Sequence, residues 1–367
     1  MSGADGDVRV LIAGGGTGGH VYPAIALADE LVARGYRRDE LRFVGATRGI
    51  EGRAVPAAGY GIDLLPGRGL ARDRTLRALA RNIRTVVDAT RALVSAWCLV
   101  GRQRPAVVVG VGGYASLPTV AAARLRRIPV VVHESDAHPG LANRIAVRLG
   151  ARPAVSVPGT ALRGAVVTGN PIRPEIAAVR RAPVTPPVVA VVGGSLGARR
   201  INDAALGIYD SWRQRDDVVI HHVTGARDYD WCRTRLEALR APRDDLQYRL
   251  VRYEDHMDEV YRDATVMVSR AGGMTAELAA VAMPSLLVPL PGAPGDHQTR
   301  NAEIFVAAGA AVLVPDAELD TARLSATLDT VLSDPDRLSS MSEAARSLAH
   351  PDATARFADL VEASIRG

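Results

Sequence analysis

Four glycine-rich clusters hold the residues through which this chain could do chemistry: Gly14-Gly15-Gly16-Thr17-Gly18-Gly19-His20, Gly110-Val111-Gly112-Gly113-Tyr114, Gly193-Gly194-Ser195-Leu196-Gly197 and Arg270-Ala271-Gly272-Gly273-Met274-Thr275. Glycine lets backbone N–H groups approach a pyrophosphate with no side chain in the way, and a helix starting there adds the positive end of its dipole. Gly14, Gly16 and Gly19 fit the dinucleotide spacing G-x-G-x-x-G. A nicotinamide site would also need an acidic residue ending the second strand to hold a ribose, yet that strand reads Arg42-Phe43-Val44-Gly45-Ala46. One dinucleotide uses one such loop, and Gly193 to Gly197 provides a second. There Ser195 adds a hydroxyl donor where a plain strand-to-helix turn needs only glycine.

Titratable side chains stand beside these loops. His20 directly follows the first one, where an imidazole titrating near neutrality can accept a proton from a hydroxyl. His133-Glu134-Ser135-Asp136-Ala137-His138 crowds polar groups at a strand end, as a binding turn or as a helix cap over a buried histidine. Asp228-Tyr229-Asp230 has the Asp-x-Asp form of metal-dependent sugar transferases, but it lies at a helix start, where acidic residues serve the helix dipole.

The elements that must position these groups alternate short Val-rich strands with helices, the pattern of parallel sheets covered on both faces. In the first half strands are expected at Val8–Ala13, Leu41–Val44, Ala106–Val111, Pro129–His133 and Ala154–Val157. Helices are expected from about Tyr22, over Thr75–Arg102, through Pro118 and after Pro139. A proline-rich stretch from Pro171 to Pro187 reads as a linker. Strands then resume at Val188–Val192, Val218–Val223, Val266–Ser269, Ser285–Pro289 and Ala311–Val314. The fold expected is α/β, with two doubly wound Rossmann-like domains whose parallel sheets face each other across a cleft. Every glycine cluster then follows the carboxyl end of a strand, where ligands bind in such sheets.

Composition sets the bounds. A chain of 367 residues exceeds one ordinary core and calls for two domains. Its two cysteines, Cys98 and Cys232, lack metal-ligand spacing and fit a reducing compartment. The acidic start carries no export signal, and no apolar run approaches the ~20 residues of a membrane span, so a membrane role would be peripheral. A formal charge of +5, with arginine in place of every lysine, favours anionic partners without choosing among them. The helix from Thr75 puts Leu76, Leu79, Ile83, Val86, Thr90, Leu93 and Trp97 on one stripe, expected to pack in the core. Its arginines lie largely off that stripe and would also suit an anionic lipid surface.

With these motifs in view, the chain resembles the MurG family of N-acetylglucosamine transferases over nearly its whole length. The likeness is carried by Gly15 to His20, Gly112-Gly113-Tyr114, His133-Glu134, Gly140-Leu141-Ala142-Asn143, Gly169-Asn170-Pro171-Ile172-Arg173, Gly193 to Ala198, and Asp296-His297-Gln298 with Asn301-Ala302. It implies a GT-B fold and an inverting transfer from UDP-N-acetylglucosamine to a polyprenyl-diphosphate-linked muramyl-pentapeptide at the anionic cytoplasmic face of the plasma membrane. It implies no metal, cofactor or nucleic acid. Residues 1–173, completed by helix 351–367, would form the acceptor domain and residues 174–350 the donor domain. The resemblance makes His20 the base and gives donor contacts to Thr17, Gly18, Gly19, Asn143, Arg173, Ser195, Tyr253, Met274, Thr275, Glu277, His297 and Gln298. Acceptor contacts fall to Gly15, Gly16, Gly112, Gly113, Tyr114, His133 and Glu134. Three features depart from the family pattern: Thr275 and Glu277 stand one residue closer, Ser135-Asp136 replaces Gln-Asn, and His297 stands where glutamine is common. A transferase acting on a soluble aglycone, a UDP-sugar epimerase and a dehydrogenase-type nucleotide binder are the rival readings.

Overall fold

The computed structural model describes residues 8–47, 49–66, 76–194 and 197–366, with only the backbone over 76–87 and at 89. The chain forms two compact units, Met1–Arg173 with Asp352–Gly367, and Pro174–Pro351.

The first unit holds β1 (Val10–Ala13), β2 (Leu41–Ala46), β3 (Gly61–Leu65), β4 (Val107–Gly110), β5 (Val130–Glu134), β6 (Arg152–Val155) and β7 (Val166–Val167). They form one sheet in the order β3-β2-β1-β4-β5-β6-β7, and every neighbouring pair is parallel. Val10 and Ile12 of β1 enter one core layer while Leu11 and Ala13 enter the other, because alternate side chains leave opposite faces of a strand. Both layers are buried, which is why these strands read as unbroken apolar runs.

The second unit repeats the plan with β8 (Val188–Val192), β9 (Val219–Val223), β10 (Gln247–Val251), β11 (Val266–Ser269), β12 (Ser285–Leu287) and β13 (Ala311–Leu313). The order is β10-β9-β8-β11-β12-β13, again parallel throughout. In each sheet the order reverses beside the first strand, between β1 and β4 and between β8 and β11. That reversal opens a crevice at the strand ends.

Three details differ from expectation. Strands β3, β7 and β10 were not foreseen; they are short or partly exposed, so their sequences lack a continuous apolar run. The first helix starts at Gly18 rather than Tyr22, which places Gly18 and Gly19 in its opening turn. In helix Leu76–Gln103, Ala92, Ala96, Leu99 and Val100 form the buried face, whereas Leu93 and Trp97 are exposed. The expectation of core packing for Leu93 and Trp97, and for the likewise exposed Thr90, is corrected accordingly; Trp97 instead carries the Arg126 guanidinium 3.9 Å above its ring. The side chains of Leu76, Leu79, Ile83 and Val86 lie outside the described residues.

The last helix, Ala353–Arg366, belongs to the first unit. It buries Phe357, Ala358, Leu360 and Val361 in the same layer as Val10 and Ile12. Arg34 anchors it by donating to Asp359 at 2.6 Å, Glu362 at 3.0 Å and the Ala355 carbonyl at 2.9 Å.

Candidate functional site

At the switch point of the first sheet, the glycine turns after β1 and β4 interlock. The Gly14 amide donates to the Val44 carbonyl at 3.0 Å and that of Gly15 to Gly112 at 3.3 Å. Gly113, at φ +81°, sits so close to the Gly15 carbonyl that no Cβ would fit. His20 is the third residue of helix Gly18–Ala33, half-buried, with Nδ1 3.3 Å from the Gly15 carbonyl. A Cβ on Gly112 would come within 3.0 Å of His20 Nε2, so that glycine keeps the imidazole's edge clear.

Thr17 occupies the N-cap position, yet its side chain makes no cap bond. The amides of Gly18 and Gly19 have no acceptor within a helix that begins at them. Tyr22 packs against Gly18, and Arg173 lays its guanidinium 4.4 Å above the Tyr22 ring. Arg173, Thr17, Gly18, Gly19 and His20 thus surround one helix N-terminus in the first unit.

Gly16 behaves differently from its expected role. Its amide donates to Glu51 Oε2 at 2.8 Å, and the amide of Ala46, the last residue of β2, donates to Oε1 at 3.0 Å. The Gly16 amide is therefore occupied within the protein, which corrects its expected donation to an acceptor diphosphate. Glu51 is 1% exposed, so it cannot serve as the ribose-binding acid of a dinucleotide site either.

His133 and Glu134 end β5 with buried side chains. His133 Nε2 donates to the Gly169 carbonyl at 3.2 Å and lies 3.3 Å from Ser156 Oγ, and the ring packs 4.9 Å from that of Phe357. Burial pushes its pKa down to about 4. Glu134 accepts from the amides of Gly140 at 2.8 Å and Asp136 at 3.2 Å and from Asn143 Nδ2 at 2.9 Å. Burial nonetheless raises its pKa. Glu134 holds the following turn and helix Leu141–Arg148 in place, while the His133 ring ties β5 to Ser156, Gly169 and the last helix; both side chains are turned inward, where the resemblance implied acceptor contacts. Among the described residues, the Tyr114 hydroxyl, Asn143 Oδ1 and Asn170 Oδ1 are buried without a hydrogen-bond partner. Burial pushes the Tyr114 phenol up, with Asp88 adding to the shift.

In the second unit Ser195 lies outside the described residues. Around it, the Gly197 amide donates to the Gly194 carbonyl at 2.9 Å, and Gly197, at φ +81°, presses against the Thr224 carbonyl. Asn202 of helix Arg199–Trp212 donates to that same carbonyl at 3.0 Å and to Asp228 at 3.2 Å. Its Oδ1 lies 3.0 Å from His222 Nε2, whose other nitrogen is 2.8 Å from the Tyr248 hydroxyl. A neutral His222 donating from Nε2 and accepting at Nδ1 satisfies every member. Burial pushes its pKa down to about 3.

Asp228 is thus committed to Asn202 and to Arg199 at 3.3 Å, while Asp230 pairs with Arg252 at 3.0 Å. The carboxylates of the Asp-x-Asp sequence have separate partners, and Asp228 makes no cap bond despite its N-cap position. No group of three or more His, Cys, Asp or Glu that could hold a metal occurs among the described residues.

After β11, the Gly272 carbonyl accepts from both the amide and the hydroxyl of Thr275, at 3.0 and 2.9 Å. Met274 packs its side chain against the core, so what it can offer a phosphate is backbone. Glu277 accepts from the wholly buried Tyr261 hydroxyl at 2.6 Å. Gln298 accepts from the Leu290 amide at 2.9 Å, and its Nε2 is the nearest atom to where a Cβ on Gly272 would stand. His297 holds the Pro294 carbonyl at 2.8 Å. Tyr253 follows β10, three strands away from β11.

Glu51 and the Asn202–His222–Tyr248 chain were not foreseen, nor was the bracing role of Arg270 at the head of its glycine cluster, where it donates to Asp316 at 2.7 Å and to the carbonyls of Val288 and Pro289. Only Glu51 carried a hint, an acid set between Gly49 and Gly52.

Comparison with known proteins bears on both units. The N-terminal domain of glycosyltransferase family 28 matches residues 10–154 and the C-terminal domain of that family residues 188–362. The chain is 40% identical to the UDP-N-acetylglucosamine–N-acetylmuramyl-(pentapeptide) pyrophosphoryl-undecaprenol N-acetylglucosamine transferase of Salinibacter ruber, over 95% of each protein. It is 37% identical to the enzyme of that name from Shewanella halifaxensis, over 96% of each. The crystal structure of Acinetobacter baumannii MurG superposes with a TM-score of 0.73 at 26% identity, covering 97% of this chain and 99% of that one. The glycotransferase of kitacinnamycin superposes at 0.69 with 18% identity over 98% of this chain and all of that one, a likeness of fold alone.

Proposed function

This chain belongs to glycosyltransferase family 28 and has the GT-B fold, and from that membership we infer that it moves N-acetylglucosamine from UDP-N-acetylglucosamine to undecaprenyl-diphosphate-linked N-acetylmuramyl-pentapeptide. The sugar goes to the C4 hydroxyl of the muramyl residue, the step from lipid I to lipid II in peptidoglycan synthesis. One observation of geometry carries the reading: each unit has its own glycine turn at the carboxyl end of its first strand, leading into a helix N-terminus. Donor and acceptor each bring one diphosphate, and such a terminus holds an anion through amides alone.

In this proposal the second unit holds the donor. Ser195 and the amides of the 193–197 turn take its diphosphate, and Arg173, held over the Tyr22 ring, is a further donor contact. Glu277, oriented by Tyr261, takes the ribose; Met274 and Thr275 line the phosphate side, and Tyr253 faces the uracil. His297 and Gln298 read sugar hydroxyls. The first unit takes the acceptor diphosphate at Gly18 and Gly19, reassigned from the donor contacts because the Gly16 amide is given to Glu51 while these two open the helix; the buried Tyr114 hydroxyl is a further polar group for the acceptor, and Asn143 Oδ1 one for the reacting centre.

His20 acts as the base. With Nδ1–H donating to the Gly15 carbonyl, Nε2 is the basic nitrogen, on the side that Gly112 keeps open. It removes the proton of the C4 hydroxyl as the oxygen attacks the anomeric carbon; the bond to UDP breaks on the opposite face, inverting the centre. The amides and arginine around the leaving diphosphate stabilise the charge that develops there.

Membrane association follows from the acceptor. No described helix is long and apolar enough to cross a bilayer. The exposed Leu93, Val94 and Trp97, with Arg91 beside them and Arg126 stacked on the indole, form an apolar surface edged with positive charge that suits peripheral docking on an anionic cytoplasmic leaflet.

Purified protein incubated with labelled UDP-N-acetylglucosamine and a short-chain lipid-linked muramyl-pentapeptide is expected to form the disaccharide product. Turnover of the nucleotide sugar without acceptor, or labelling of a soluble aglycone in preference, would overturn the assignment.

A further inference from the structure

Among the described residues, Glu51 is the one carboxylate that hydrogen-bonds into the first glycine turn, and it does so from outside it. Thirty-five residues separate it from Gly16, whose amide it accepts at 2.8 Å, while its other oxygen accepts from Ala46 at 3.0 Å. Three glycines make room for it: a Cβ at Gly15, Gly45 or Gly49 would overlap the Glu51 side chain. Gly15 and Gly16 adopt φ of +152° and +97°, a conformation available to glycine and costly to hold in order. Two N–H bonds to a carboxylate are strong enough to supply that order.

We propose that Glu51 is the positioning residue of the first glycine turn, fixing Gly15–Gly16 and restricting the acceptor diphosphate to the amides of Gly18 and Gly19. A carboxylate at the strand end of the turn repels phosphate there and leaves the helix end as the amide cradle. His20 follows that cradle directly, so the same restriction sets where the acceptor's sugar lies relative to Nε2. The proposal rests on the assignment of this turn to the acceptor.

Steady-state kinetics on full-length Glu51→Gln and Glu51→Ala, with a short-chain lipid-linked acceptor, test it. Glutamine keeps the shape but offers one acceptor oxygen to two N–H groups. The expected result is an acceptor KM raised about tenfold or more, with the KM for UDP-N-acetylglucosamine within about twofold of wild type. A purely structural residue would reduce the amount of active enzyme and leave both KM values unchanged, which would overturn the proposal; so would failure of both variants to fold. Should only Glu51→Ala fail to fold, Glu51→Gln decides. Gly113→Ala, whose Cβ would overlap the Gly15 carbonyl, is the companion variant. If it raises the acceptor KM and Glu51→Gln does not, the role of Glu51 falls and the acceptor assignment stands. If neither moves it, both fall.

Discussion

The two glycine turns occupy equivalent places, each after the first strand of its sheet, yet they are braced by opposite means. The first is tied to a buried carboxylate reaching in from the segment after β2, and it gives up the Gly16 amide to that charge. The second closes on itself through Gly197 and Gly194 and is backed directly by neutral groups, the Thr224 carbonyl and Asn202, behind which the Asp228 carboxylate is paired with Arg199. A turn braced by negative charge narrows where an anion can sit, whereas one braced by neutral dipoles leaves the full field of its helix N-terminus available. In the proposed assignment this suits a first unit that places a hydroxyl against a base and a second that holds, then releases, a nucleoside diphosphate.

The sharpest way to break this division is His20→Ala. Loss of a general base should lower kcat by about 10²–10⁴-fold while UDP affinity stays within about twofold. An equal fall in UDP affinity would mean that His20 serves the donor. In the second unit Glu277→Gln should do the converse, raising the donor KM about tenfold with little change in the acceptor KM.

Acid sharpens the comparison through stability. His133 and His222 are buried and neutral, with pKa values pushed down to about 4 and about 3 from an ordinary 6.5. The unfolded chain therefore binds protons first: stability is flat above about pH 6.5 and falls as pH drops toward those values, by about 2 kcal/mol per histidine between pH 7 and 5. Glu134, whose carboxyl is raised by burial, acts in the opposite sense in the first unit, so the second should loosen first. Hydrogen exchange at pH 5 against pH 7 would show it; equal loss of protection in both units would refute the asymmetry.

The smallest effect is expected at Asp230. Because it pairs with exposed Arg252 and Asp228 faces Asn202, Asp230→Ala and added chelator should each leave turnover within about twofold. A large loss in either would reinstate a metal.

Much of the fold was legible in the sequence because burial on both faces of a parallel strand writes itself into adjacent residues. Val188–Val192 is buried throughout and reads as one apolar run, while the edge strands Gly61–Leu65 and Gln247–Val251 carry polar residues where a face meets water and so escape notice. The glycine turns were legible for a related reason, since φ values near +90° and close backbone approach demand glycine locally. The position of His20 beside such a turn was legible for the same reason.

What local pattern could not supply was the direction in which polar side chains turn. His133 and Glu134 end a strand at the rim of the crevice and look like contacts, yet Gly169, Asn143 and Phe357 draw both inward. Asp228 reads as a cap or a metal ligand and instead serves Asn202. Glu51 stands five residues past the point where a ribose acid would be sought, and its partner lies one strand over. Strand and turn propensities act between neighbours in the chain, but a buried hydrogen bond is chosen among groups that only packing brings within 3 Å, and no period in the sequence records that choice.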